Sequence, residues 1–167
     1  MGQSHPKPAL RPFLPADTPM LAAIFVASVQ ELTGDDYGEA QQEAWAAVAD
    51  DEESFGKKLA SELTLIATLQ GSPVGFASLK DNTEIDMLYV HPSVAGQGVA
   101  TLLCDALEKL AGGRGANSLV VDASDTAVDF FRKRGYAAQQ RNSVTINGEW
   151  LANTTMKKAL GDGGAQP

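Results

Sequence analysis

LYVHPSVAGQGVATLL (Leu88–Leu103) carries an apolar, strand-like run through a short loop into Gly96-x-Gly98 and then directly into a helical pattern. Val99, Leu102, Leu103, Ala106, Leu107 and Leu110 recur at helical spacing and predict one apolar stripe on a helix from Gly96 to Leu110. The start of a helix presents unpaired N–H groups and a partial positive charge, so it can hold a phosphate without any cationic side chain. The loop has no lysine or arginine, and its two glycines allow backbone to approach an anion closely.

Three readings of the junction compete. A nucleotide-triphosphatase loop fails on spacing, because Gly98 is followed by Val99-Ala100 and not by Lys-Ser/Thr. A dinucleotide fold would use Asp122, at the end of the following strand, as its ribose-binding acid. That fold places its glycines almost immediately after the strand, whereas His91 to Ala95 intervene here, and the chain closes with a hairpin instead of repeated β-α units. Two glycines alone also fit a purely structural turn.

Outward from this stretch, the chain reads as an α/β sheet of about seven strands. Ala9 to Phe13 forms a first strand, and Asp17 or Thr18 caps a helix opened by Pro19 and buried through Leu21, Ile24, Phe25, Ser28 and Leu32. Helices over Glu39–Ala49 and Ser54–Leu63 follow. LTLIATL and PVGFASLK, joined by Gln70-Gly71-Ser72, and EIDMLYV, reached through Asp81-Asn82-Thr83, make an antiparallel meander. The Gly96 helix then returns NSLVVDA parallel to EIDMLYV by a right-handed crossover. A helix from Asp125 to Arg134 stops at Gly135, and a C-terminal hairpin turns at Asn147-Gly148.

The length of 167 residues, 44% of them hydrophobic, suits a single domain over residues 1–160, with 161–167 a flexible tail. Thirteen basic against 21 acidic residues give a net charge of -8, which argues against nucleic acid or an anionic membrane as partner and fits a cationic or amine substrate. One cysteine, Cys104, excludes an internal disulfide and suits a cytoplasmic location. Cys104 falls off the predicted apolar stripe. His5 and His91 have no partners at metal-ligand spacing, so no metal site is expected.

EIDMLYVHPSVAGQGVATLL followed by LVVDASDTAVDFFRKRGY resembles the GNAT superfamily of acyl-CoA-dependent N-acetyltransferases. That family has Gln/Arg-x-x-Gly-x-Gly/Ala at its central helix start and, about thirty residues on, Asn-x-x-Ala-x-x-Phe-Tyr-x-x-x-Gly-Phe/Tyr. The order of elements from Ala9 to Lys158 fits as well. The resemblance implies a mixed sheet with an antiparallel N-terminal meander, a central parallel β-α-β crossover and a terminal hairpin. It implies acetyl-CoA as co-substrate, direct transfer to a primary amine in a ternary complex, and a small-molecule or peptide acceptor.

Carried over by position, Gly96, Gln97, Gly98, Val99, Ala100 and Thr101 would hold the coenzyme's pyrophosphate. Leu88, Tyr89 and Val90 would run beside its pantetheine arm like an added strand, with the Leu88 amide facing the developing oxyanion. Ser124 stands where the family has Asn, Ala95 where it has Gln or Arg, and Phe131 where it often has the Tyr that protonates the thiolate. Ala95 and Phe131 motivate an alternative, an acyl-CoA-binding module without catalysis.

Acyl transfer needs a neutral amine, so a carboxylate base is expected. Glu84 falls where several family members carry one, and Asp86 shares its strand face by alternation, which also points Tyr89 away from Glu84. Tyr37, Gln41 and Trp45, four residues apart, would line the acceptor pocket if their helix starts early enough, with Asp35 and Asp36 beside them. Exposed terminal strands leave edges on which a homodimer could form.

Overall fold

Gln70 and Gly71 adopt positive φ, 51° and 86°, and reverse the chain between two alternating apolar runs, which become the hairpin of β2 (Leu63–Leu69) and β3 (Ser72–Lys80). The computed structural model describes residues 6–161; His5 and the tail beyond Gly161 lie outside them. A first strand, β1 (Ala9–Pro12), precedes helices α1 (Thr18–Leu32), α2 (Glu39–Ala46) and α3 (Glu52–Ser61). After the hairpin come β4 (Glu84–Val90), α4 (Val99–Gly113), β5 (Ser118–Ser124), α5 (Val128–Lys133), β6 (Ala137–Ile146) and β7 (Glu149–Ala159). All seven strands join one sheet in the order β1-β2-β3-β4-β5-β7-β6, parallel only between β4 and β5. This is the predicted meander, crossover and hairpin.

The sheet is covered on both faces. Helices α4 and α5 bury one side through Val99, Leu103, Leu107 and Phe131, and α1 with α3 buries the other through Leu21, Phe25, Phe55 and Leu59. Each fully buried side chain of this size removes enough apolar surface from water to contribute about 1.5–3 kcal/mol.

Three local expectations change. The buried stripe of α4 is Val99, Leu103, Cys104, Leu107 and Ala111, while Leu110 is 39% exposed; Cys104 is therefore a core residue, and burial pushes its thiol up to about 12. Helix α2 begins at Glu39, so Tyr37 sits in the turn before it and not on its face. Finally, the β3–β4 register slips: Leu79 pairs with Ile85 and Ser78 with Met87, which leaves Asp86 as an extra, bulged residue. The bulge resets the alternation. Ile85 faces the α4 core, whereas Met87 and Tyr89 face the α1–α3 core, so Tyr89 shares the face of Glu84.

Gly75 of β3 lies under the first turn of α4. A Cβ there would come within 3.0 Å of Val99 Cγ1 and 3.2 Å of the Tyr89 carbonyl oxygen, so glycine sets how closely α4 seats on the sheet.

Candidate functional site

Parallel pairing between β4 and β5 is confined to Glu84 with Val120 and Ile85 with Val121. Beyond Ile85 the strands part. A cavity of about 170 Å³ occupies the gap, walled by Asp86–Tyr89 on one strand and Val121–Ser124 on the other. Ser28 and Leu32 of α1, with Thr33 just after it, line it from one side of the sheet and Phe131 of α5 from the other, so the opening passes between both helical layers. An extended chain laid there would meet β4 backbone no longer engaged by β5, as an added strand does.

The loop before α4 is exposed over Ala95–Gly98. Gly96 and Gly98 hold φ of 78° and 87°, a region that other residues enter at a cost of about 1–2 kcal/mol, and a Cβ on either would meet nothing within 4 Å. Backbone conformation requires glycine here. The first helical bond runs from the Leu102 N–H to the Gly98 carbonyl, and among the described residues the amides of Gly98, Val99, Ala100 and Thr101 have no acceptor. Gln97 donates its backbone N–H to Val94 and its side-chain amide to the Ser93 carbonyl. His91 accepts from the Ser93 N–H and fixes the turn over Pro92–Val94. The donor set fits a pyrophosphate: four free amides at a helix start, no acidic side chain among residues 91–101, and open space over both glycines.

Asp86 lines the cavity; Glu84, three residues from Met87 along the same face, does not. Burial raises the Glu84 carboxyl above the ordinary range, with Asp86 and Asp122 adding to it. Asp86 is 17% exposed and pairs with Lys58 of α3, Nζ to Oδ2 at 2.9 Å. Leu88 lines the cavity and Val90 does not. Ser124 lines it and accepts from the Ala127 N–H through its hydroxyl. Phe131, 2% exposed, packs against Phe130 and Tyr136, whose hydroxyl donates to Glu108.

A second hollow of about 160 Å³ adjoins the first and shares Trp45, Tyr89, Asp122 and Ser124 with it. Tyr37, Val144, Ile146 and Leu151 complete most of its wall, so the long terminal hairpin helps to build it. Tyr37 and Trp45 meet edge to face at 5.3 Å, and Trp45 donates through Nε1 to the Tyr89 hydroxyl. Burial pushes the Tyr89 phenol up to about 12, so it keeps its proton at neutral pH. The Tyr37 hydroxyl donates to the Ala152 carbonyl and accepts from the Asp125 N–H, tying the hairpin to the end of β5. Gln41 borders neither hollow; it donates to the Trp150 carbonyl and accepts from Gly38. Asp36 accepts from Thr126. Asp122, Ser28 and Thr33 were not sought from sequence as part of this site. A polar residue ending a strand that splays from its neighbour is the signal for Asp122; α1 offered none.

Comparison with known proteins agrees with this geometry. The Acetyltransferase (GNAT) domain family matches residues 33–160. An uncharacterized N-acetyltransferase, YafP of Escherichia coli, is 34% identical over 148 residues, 89% of this chain and 93% of that one. The crystal structure of a GCN5-related N-acetyltransferase from Rhodopseudomonas palustris is 66% identical, with a TM-score of 0.90 over 95% of this chain and 98% of that one. PaiA N-acetyltransferase of Thermoplasma acidophilum, solved with coenzyme A, shares the fold at 18% identity and a TM-score of 0.75, over 92% and 99% of the two chains.

Proposed function

The chain belongs to the GNAT acetyltransferase family, and from that premise we propose that it transfers an acetyl group from acetyl-CoA directly to a primary amine. The observation that carries this is the pairing, in one chain, of four unpaired amides at Gly98–Thr101 with a β4–β5 gap whose wall includes a carboxylate. Acetyl-CoA supplies the activated thioester. The amides of Gly98 to Thr101 hold its pyrophosphate, and Leu88 and Tyr89 lie along the pantetheine path with Ser124 and Phe131 opposite.

Asp86 is the base in preference to Glu84, because it is the one that borders the gap. It takes a proton from the acceptor's ammonium and leaves the nitrogen lone pair free to attack. The Leu88 amide serves as the donor to the developing oxyanion in this reading. Phe131 has no proton to give, and none is needed: a thiol with a pKa near cysteine's, roughly 8.5, leaves readily as thiolate.

The acceptor enters by the second hollow, between Tyr37, Trp45 and the terminal hairpin. Its wall is aromatic and apolar with Asp122 as its charged residue, which favours a cationic or neutral amine on an apolar body over an acidic one.

Two measurements test the reading. Calorimetric titration with acetyl-CoA and with a pantetheine-only fragment should give saturable binding that requires the pyrophosphate. Thiol release should then appear with a member of an amine panel. Coenzyme binding with no thiol release from any amine would favour the non-catalytic acyl-CoA-binding module, and no binding at millimolar coenzyme would sink both.

A further inference from the structure

Behind Asp86 lies a second carboxylate that no element of the site requires. Glu62, the residue joining α3 to β2, has a side chain only 5% exposed. Lys58 bridges the two acids, its Nζ 2.9 Å from Asp86 Oδ2 and 3.4 Å from Glu62 Oε2. Three buried oxygens at this corner lack a well-directed hydrogen bond: Glu62 Oε1, Asp86 Oδ2 and the hydroxyl of Ser78, which is wholly buried on β3. The Lys58 ammonium reaches one oxygen of each acid and leaves Glu62 Oε1 buried without a donor, which disfavours the charged form of that carboxyl. A shared proton relieves that. Burial pushes the Glu62 carboxyl upward; the Ser78 hydroxyl opposes the shift, Asp86 reinforces it and Lys58 opposes it. Glu84 on β4 also interacts with Asp86, and Asp122 on β5 and Lys80 on β3 act on Glu84 in turn.

The pair also joins two separate spaces. Asp86 borders the β4–β5 gap, whereas Glu62 borders a different groove of about 420 Å³, between α3 and the start of the chain at Pro12, Phe13 and Pro15. We propose that Glu62 is a positioning and relay residue, which receives through Asp86 the proton removed from the acceptor amine and releases it to solvent at the α3 groove. The proposal rests on Asp86 as base. The acceptor ammonium gives one proton to the Asp86 carboxylate, and that proton passes to Glu62 and then to water. The N–C bond forms as the C–S bond breaks, the sulfur leaves as thiolate, and the second nitrogen proton passes to solvent water. Lys58 fixes both carboxylates and stays protonated. Asp86 is thereby returned to its basic form by a route that the bound coenzyme and acceptor do not block.

The test has two arms. The first needs no activity: a carboxyl ¹³C NMR titration of the full chain, expected to show Glu62 titrating above the ordinary carboxylate range, a step that moves in Asp86→Asn and is missing in Glu62→Gln. The second is the pH profile of thiol release. Glu62→Gln is expected to lower kcat about tenfold or more, to leave the KM for acetyl-CoA unchanged and to displace the acidic limb, and Glu62→Asp to recover part of kcat. Independent single-step titration of Glu62, unaltered by Asp86→Asn, overturns the proposal whatever the activity. Coupled titration with a Glu62→Gln profile identical to wild type overturns the relay. Loss of turnover in Asp86→Asn beside full turnover in Glu62→Gln keeps the base and removes the relay, so the two readings fail separately.

Discussion

The α4 loop and the α3–β4 corner are built in opposite ways. At the loop, Gly98 to Thr101 offer backbone amides from consecutive positions, and no side chain is needed to make the surface positive. At the corner, Lys58, Glu62, Ser78 and Asp86 come from a helix, its exit and two strands, and only their side chains matter. The comparison teaches that a ligand of fixed charge can be met by local geometry, whereas a proton that must move requires groups whose affinities are tuned by one another. The first kind of site is robust to what surrounds it. The second exists only once the chain has folded.

Breaking the corner at its centre should have the largest effect. Asp86→Asn removes the base and is expected to lower kcat by about 10²–10⁴, with calorimetric affinity for acetyl-CoA retained. At the loop, Gly98→Val forces a β-branched residue into the left-handed region at a cost of about 1–2 kcal/mol. It should weaken coenzyme binding about tenfold, with kcat at saturation kept; a matching loss of kcat at unchanged affinity would mean that the loop serves chemistry and not binding.

Gly75→Ala sharpens the comparison from beneath. Its Cβ would press on Val99 and the Tyr89 carbonyl, so overpacking should cost about 1–3 kcal/mol in denaturant unfolding and weaken coenzyme binding by displacing the first turn of α4. Gly96→Ala has open space around it but a φ of 78°, so it should cost about 1–2 kcal/mol through backbone strain alone.

The smallest effect concerns stability against pH. A carboxyl whose folded-state pKa lies above its unfolded value holds more protons when folded, so its contribution to stability is present below the unfolded pKa and is lost as pH rises through the folded one. Burial first, then Asp86, raises Glu62 in this way. Thermal unfolding of Glu62→Gln relative to wild type should therefore shift by a few degrees in the variant's favour as pH climbs through that window, then level off. A constant difference from acid to neutral pH would show that Glu62 is not raised.

Much of the fold was legible because the signals are local. The Gln70-Gly71 and Asn147-Gly148 turns, the apolar alternation of β2 and β3 and the glycines before α4 each specify backbone within a few residues. The α4 stripe is less local: helical spacing puts Cys104 off the stripe and Leu110 on it, whereas packing over β3 and β4 buries Cys104 and leaves Leu110 exposed. Tyr89 was assigned to the wrong face because strict alternation fails across the Asp86 bulge, and a bulge is a property of two paired strands. Lys58 and Glu62 gave no sign of themselves, since charged residues near a helix end read as solvent-facing.

By itself the sequence determined the strand order up to the crossover, the helix that follows the glycines and the glycine-bearing turn that opens it, because dihedral preference and hydrophobic period act over short spans. Tertiary structure alone decided that β4 and β5 part after Ile85, that Asp86 and not Glu84 borders the gap, and that Glu62 stands behind it. Those facts depend on register and on contacts between distant segments, where burial and the low dielectric it brings give a carboxylate its chemistry.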